Sequence, residues 1–267
     1  MFAELISIGS ELLTPDRMDT NSLWITAQLN RFGIEVRRKV IWGDEVEGLT
    51  QEIRSSLDRS AIVITTGGLG PTEDDITREA VAGALGVSLV SQPELVEDLK
   101  AKFARFGRTM SPNNLKQCLL PEGATVMPNP MGTAPGITAT SGSSRLFVMP
   151  GPPREMKPMF SAQVEPLLVD LAGTRRVVRK VLRVIGLGES ILDERIAPLY
   201  KGLQNPVVGV LFSAFDVEVH LTATADSEEA AHELNEELAA KMREALGTHI
   251  YAETEVTLAG ALGERLS

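Results

Sequence analysis

The sequence is short of histidine, cysteine, aromatic rings and positive charge, and each shortage removes a class of chemistry. Its three histidines, His220, His232 and His249, all lie in the last third of 267 residues. Nothing upstream of them can use an imidazole as a base or metal ligand, so chemistry there must come from carboxylates, hydroxyls, backbone amides, Lys and Arg. The single cysteine, Cys118, has no partner for an internal disulfide, and its place in the apolar run Gln117-Cys118-Leu119-Leu120 reads as a core thiol. Aromatics make up 4% of the chain and the formal charge is −10. That balance offers neither stacking platforms nor the clustered cations that drive binding to a nucleic acid backbone. A small ligand is the expected partner, not a nucleic acid. No apolar run approaches the roughly 20 residues of a spanning helix, so no membrane partner is expected either. The opening Met1-Phe2-Ala3-Glu4-Leu5-Ile6-Ser7-Ile8 lacks a basic leader and reads as a strand. A signal peptide is therefore not expected here, and the cytoplasm is the expected location.

What is present is the composition of a globular protein, with 43% hydrophobic and 23% charged residues, and a length that suggests two domains. Over residues 1–172, apolar β-branched runs at 3–8, 34–42 and 61–66 alternate with helical periods at about 20–32 and 46–58. This alternation predicts a doubly wound α/β domain with a mostly parallel sheet. Helices at 75–85 and about 93–106, a short helix after Pro112, an extended piece ending at Pro128, a strand at 146–149 and a helix at 154–171 complete it. A boundary falls at Ala172-Gly173-Thr174. Residues 173–253 then read as strand 176–185, helix 190–199, strands 207–213 and 216–224, helix 227–246 and a short strand 249–251. The βαββαβ order suggests a smaller α+β unit, ferredoxin-like or KH-like. The tail, 254–267, ends in an amphipathic pattern over 257–267.

The richest motif is Thr66-Gly67-Gly68-Leu69-Gly70-Pro71-Thr72, between the most apolar short strand and a helix. Glycines there let backbone N–H groups approach an anion, and the helix N-terminus adds a positive dipole end. It is not a P-loop, since no Gly-Lys-Ser/Thr follows, and Glu73 stands where a G-x-G-x-x-G fingerprint needs its third glycine. Glu73, Asp74 and Asp75 come directly after and would repel a phosphate at the same turn. A divalent cation such as magnesium resolves that conflict by bridging carboxylate and phosphate. Helix capping by Thr72 and Asp75 is the plainer alternative.

Ligands of open α/β sheets sit beyond the carboxyl ends of the strands. The first strand exits through Gly9-Ser10-Glu11, the second through Gly43-Asp44. Asp19-Thr20-Asn21 opens the first helix, where ligand contact and N-capping are equal readings. Two further loops are rich in backbone punctuation, one holding Asn129, Gly132, Thr133 and Ala134, the other Pro150, Gly151, Pro152 and Arg154. Arg154 is a candidate bidentate partner for a diphosphate, or else a solvated first-turn arginine. The one basic run, Arg175-Arg176, Arg179-Lys180 and Arg183, reads as a solvated strand face in preference to a nucleic acid footprint.

Taken together, Ile6 to Leu13, Asp19-Thr20-Asn21, Thr66 to Asp75, the Asn129 to Gly136 loop and Met149-Pro150-Gly151-Pro152-Pro153 resemble the CinA family of competence/damage-inducible proteins. The resemblance implies an N-terminal domain similar to the molybdopterin-binding MogA and MoaB type, followed by a KH-like domain. It also implies metal-dependent hydrolysis of ADP-ribose to AMP and ribose 5-phosphate. In the molybdopterin relatives the turn reads Gly-Gly-Thr-Gly and ends in Arg-Asp. Here Leu69 replaces the threonine and Asp74 the arginine, while Asp75 keeps the functional aspartate; Asp44 matches a second one by position. The expectation is that amides of Gly67 to Gly70 hold the diphosphate and that Asp75 and Asp44 carry magnesium or a similar transition metal, with K+ an additional candidate. Asp74 or Glu11 orients the attacking water, and Asp75→Asn abolishes turnover with the melting temperature nearly unchanged. A homodimer is expected on the same precedent. Many members continue into a C-terminal domain that deamidates nicotinamide mononucleotide, an activity not expected of these residues. The rival expectations are a molybdopterin-binding or adenylyl-transfer protein and a non-catalytic nucleotide sensor.

Overall fold

The apolar strand runs of the first 172 residues build one six-stranded sheet in the computed structural model, which describes all residues except 106, 108, 213–215, 255, 257–259, 261, 262 and 264–267. The helix expected over 257–267 falls almost wholly outside the described residues. Two units are distinct, one of residues 1–30 and 34–172, the other of residues 31–33 and 173–267.

The first unit runs β1 (Phe2–Ile8), α1 (Thr20–Arg31), β2 (Glu35–Trp42), α2 (Val46–Arg59), β3 (Ile62–Thr66), α3 (Thr77–Leu85), β4 (Leu89–Ser91) and α4 (Pro93–Arg105). A 3-10 turn (Pro112–Cys118), β5 (Leu119–Pro121), β6 (Thr125–Met127), β7 (Gly136–Ser141), β8 (Ser144–Met149), α5 (Pro153–Met159) and α6 (Glu165–Ala172) follow. The sheet order is β2-β1-β3-β8-β7-β6. The first four strands are mutually parallel, whereas β7 and β6 are antiparallel. From β1 the chain winds to β2 on one side and to β3 on the other, which puts the topological switch point at the exit of β1.

All five residues of β3 are buried, as a strand covered on both faces must be. On one face Leu49, Ile53 and Leu57 of α2 and Ala80, Val81 and Ala84 of α3 pack onto Ile6, Ile8 and Val63. Trp24 of α1 meets Phe160 edge-on at 5.3 Å. Glu4, 3% exposed within β1, is accounted for by Arg59 at 2.7 Å and the Ser56 and Ser60 hydroxyls. Between α5 and α6 the helix widens into a π turn over Phe160–Val164, with Glu165 N donating to Phe160 O. Pro166 explains it, because its ring would strike the carbonyl four residues back in a regular helix. β6 falls within the extended piece expected up to Pro128, whereas the antiparallel strand β7 escapes the sequence reading. Its signal is the two-residue loop Gly142-Ser143 between β7 and β8, with Gly142 at φ 57°, a glycine-led hairpin turn.

The second unit is β9 (Arg176–Val184), α7 (Glu189–Tyr200), β10 (Val207–Phe212), β11 (Val217–Ala225), α8 (Glu228–Leu246) and β12 (Ile250–Ala252). Its sheet, β10-β11-β9-β12, is antiparallel throughout. Leu192 and Ile196 of α7 and Leu238 and Met242 of α8 pack on Leu182, Val219 and Leu221. The basic run on β9 is largely paired within this unit. Lys180 lies 2.9 Å from both Glu236 and Glu253, and Arg183 reaches Asp216 at 2.7 Å and Glu218 at 2.8 Å. That pairing favours the structural reading of the run over a nucleic acid footprint.

Glu253 is gripped by Arg243 through two hydrogen bonds of 2.6 and 2.9 Å. Arg243 first, then Lys180, holds its carboxyl down to about 2 against the opposing effect of burial. A carboxylate with a lowered native pKa contributes stability that is complete above its unfolded value and is lost as pH falls through the native one. Glu253→Gln is therefore expected to destabilise the second unit by roughly 1 kcal/mol at pH 7, the pair being partly exposed. The gap from wild type should close between the ordinary value of 4.5 and about 2. Urea melts at pH 7 and pH 2.5 check this; a gap undiminished at pH 2.5 contradicts it.

Candidate functional site

Four parallel strands end on one edge of the sheet, and the loops that leave them are tied to one another. Gly9 N, just past β1, donates to Trp42 O at 3.0 Å. Ser10 N donates to Asp44 Oδ2 at 2.9 Å and Asp44 N returns a bond to Ser10 Oγ at 3.0 Å, so the exits of β1 and β2 are stapled. Gly67 N, past β3, donates to Met149 O at 3.0 Å. Beyond β8, Gly151 O accepts from Asn21 Nδ2 at 2.7 Å.

The glycine turn owes its path to what lies behind it. Gly67 has φ 104°, and a Cβ there would fall on the carbonyl oxygen of Ile8, so any other residue would push β1 and β3 apart. Every carbonyl from Gly67 to Gly70 is taken by a donor of α3. Thr77 Oγ1 donates to Gly67 O at 2.8 Å and Thr77 N to Gly68 O at 3.2 Å. Arg78 Nη2 donates to Leu69 O at 2.6 Å and Nη1 to Gly70 O at 3.3 Å. Because a trans peptide points its N–H away from its C=O, the amides of Gly68 and Leu69 face the opposite side. Among the described residues neither makes a protein hydrogen bond. The amides of Gly67 and Gly70 are committed, to Met149 O and to Asp75 Oδ1 at 2.7 Å. This corrects the expectation that all of Gly67 to Gly70 offer N–H to a ligand; Gly68 and Leu69 alone do.

Asp75 is equally built into the turn. Its second oxygen accepts from Thr72 N at 2.9 Å and from the Thr72 hydroxyl. These bonds spend residues 72–76 on the loop, and α3 starts at Thr77 instead of the expected 75. Asp74 is exposed, and the Thr72 side chain, its own backbone and Lys116 hold its carboxyl below the ordinary range.

These loops enclose a cavity of about 540 Å³. Of the residues singled out from sequence, it is lined by Glu11, Asp19, Asn21, Asp44, Asp74 and Asp75, by Thr66 to Pro71, by Thr133 and Ala134, and by Pro150 to Pro152. Among the described residues six carboxylates face it, those just named plus Glu155, and no Lys or Arg does. Asp19 also caps α1, accepting from Ser22 N at 3.0 Å and from Ser7 Oγ at 2.7 Å. Among the described residues no three His, Cys, Asp or Glu side chains converge closely enough to hold a metal ion unaided. An all-oxygen donor set supplying one or two carboxylates suits magnesium, which completes its shell with water and phosphate.

Family models match the chain over residues 4–170, described as "Probable molybdopterin binding domain", and over residues 179–252, described as "Damage-inducible protein CinA KH domain". The chain belongs to the CinA family. A "CinA-like protein" of Solibacter usitatus is 44% identical over 98% of this chain and 64% of its own length. One of Koribacter versatilis is 40% identical over 98% and 64%. The chain thus spans a little under two thirds of the curated relatives it matches. The crystal structure of CinA from Thermoplasma acidophilum, "with unknown function", superposes at TM-score 0.59 with 30% identity, covering 62% of this chain and 99% of that one. No helix among the described residues is long and apolar enough to cross a membrane.

In this CinA-family chain several expected ligand residues turn out to build the site instead of lining it. Ser10 and Thr72 bind Asp44 and Asp75 as described. Asn129 is 1% exposed; its amide holds Ala134 O and Glu155 Oε2, both at 2.8 Å, and its oxygen accepts from Met131 N and Gly132 N. Gly132 lies within that knot, outside the lining. Arg154 lies outside the lining: its side chain is 78% exposed, as the solvated first-turn reading has it, and its helical neighbour Glu155, 11% exposed, turns inward. Sequence reasoning missed Met18, Gln117, Glu155 and the clamp residues Thr77 and Arg78. Nothing in Ile76-Thr77-Arg78-Glu79-Ala80-Val81 sets Arg78 apart, since its neighbours Thr77 and Glu79 are themselves polar.

Proposed function

We propose that this chain hydrolyses the pyrophosphate bond of ADP-ribose or a related nucleotide, ADP-ribose giving AMP and ribose 5-phosphate, with a divalent cation. The observation that carries this reading is the pairing of two free amides, on Gly68 and Leu69, with six carboxylates and, among the described residues, no cationic side chain around one cavity. A diphosphate would be repelled from such a wall unless it arrived with a cation. Asp44 and Asp75 would hold that cation, which lowers the pKa of its water and offsets phosphate charge. The amides of Gly68 and Leu69 would take non-bridging oxygens of one phosphate and stabilise charge as it grows. Asp74 or Glu11 would accept the proton of the attacking water. The water oxygen bonds to phosphorus as the bridging P–O bond breaks, and the leaving phosphate keeps that electron pair.

A panel of dinucleotides and divalent metals, followed by AMP release, tests it. Metal-dependent AMP release from ADP-ribose supports the reading. Tight ADP-ribose binding without AMP under any metal overturns it in favour of a nucleotide sensor. Molybdopterin binding is the second reading, favoured by the description of the matching family model over residues 4–170. The missing cationic lining weighs against it, and titration with molybdopterin separates the two. A homodimer is part of the proposal, supported by the edge strand β10 with its exposed Val207, Leu211 and Phe212.

A further inference from the structure

The glycine turn is backed by a cation that nothing so far has given a role in binding. Arg78 is 0% exposed. Its two terminal nitrogens hold Leu69 O and Gly70 O, while its Nε has no partner among the described residues. Gln117, 2% exposed, leans on the same Leu69 carbonyl at 3.5 Å from the 3-10 turn, and its neighbour Lys116 reaches Thr72 O at 3.2 Å. Burying a guanidinium with an unmet N–H costs stability, and an apolar side chain of similar volume is often neutral or better for folding. Packing alone does not account for it.

The orientation of the turn does. Carbonyl oxygens of four consecutive residues point at α3, and the intervening N–H groups of Gly68 and Leu69 point away. The peptide dipoles between Arg78 and the cavity therefore carry its positive charge toward a wall that is otherwise acidic. Desolvation drops the Arg78 pKa to about 10, with Glu79 and Asp75 opposing the fall, so the charge persists at neutral pH.

We infer that Arg78 is a positioning residue for the anionic ligand: by fixing the carbonyls of Leu69 and Gly70 it presents the free amides of the turn to a diphosphate without touching it. The inference rests on the diphosphate reading above and names how this chain builds that subsite. Its companions are Thr77, which fixes Gly67 and Gly68, and Gln117.

Calorimetry of the whole protein with inorganic pyrophosphate and magnesium, alongside ADP-ribose, is the test. Arg78→Met should weaken pyrophosphate binding by about tenfold or more, the scale of losing preorganised donors. Arg78→Lys, which keeps the charge but loses the fork, should recover part of it. Thr77→Val provides a second variant with no charge removed, expected to weaken binding by about threefold. In 15N spectra pyrophosphate should shift the Gly68 and Leu69 amides of wild type and, at the same concentration, move them clearly less in Arg78→Met. For hydrolysis, KM should rise in these variants more than kcat falls. Folded Arg78→Met or Thr77→Val protein with wild-type pyrophosphate affinity and the same amide shifts overturns the inference and leaves the hydrolase reading standing. Wild type that binds neither pyrophosphate nor ADP-ribose overturns the hydrolase reading itself.

Discussion

Asp75→Asn is expected to lower ADP-ribose turnover by about a hundredfold or more, the scale seen when a charge-stabilising group is lost from a preorganised site. The same change should also destabilise the first unit. Asp75 accepts Gly70 N on one oxygen and Thr72 N with the Thr72 hydroxyl on the other. An asparagine keeps one acceptor and turns an NH2 toward donors that can no longer be met, at a cost of about 1–3 kcal/mol. The stability-neutral outcome expected from the sequence alone is therefore replaced by a fall of several degrees in Tm, about 2–4 °C for each kcal/mol in a unit of this size. Turnover assays beside calorimetric melts decide it. A fully active Asn variant would sink the metal role, and an inactive one with unchanged Tm would sink the structural role.

Gly67→Ala is expected to be the most damaging single methyl group in the first unit. Its Cβ would lie 2.1 Å from Ile8 O, a backbone atom inside the parallel sheet that cannot rotate aside, and its φ of 104° adds strain. The loss should be about 3 kcal/mol or more, with ADP-ribose binding gone. Gly142→Ala is the matched control. Gly142 also has positive φ, 57°, but an added Cβ meets nothing within 4 Å, so only the backbone penalty of about 1–2 kcal/mol applies. Denaturant midpoints of the two proteins should differ clearly; equal midpoints would mean the approach of β3 to β1 is slack.

These expectations also mark what the residues disclosed in one dimension. The alternation of apolar runs located β1, β3 and β8, because burial on both faces demands continuous Val, Ile and Leu, and it located the more exposed edge strand β2 by its place between two helical periods. The strand β7 hid beside prolines and glycines that read as loop. The glycine turn was legible as an anion site because its composition is abnormal for a turn. Which amides stayed free was not, since that depends on Thr77 and Arg78 taking carbonyls and on Asp75 taking an amide. Arg154 misled for a related reason: neighbours on a helix point about 100° apart, and Asn129, distant in the chain, selects Glu155 as the inward one. The acidic cluster suggested a cation, whereas the buried cation beneath it was invisible without contacts.

The stapling of loops after β1, β2, β3 and β8 has a consequence for how the pocket comes into being. Its walls are separated by more than half of the first unit's chain, so no nascent or proteolytic segment can capture ligand early. Occupancy reports only fully assembled molecules, and ligand added during refolding should pull the end of the reaction without hastening its start.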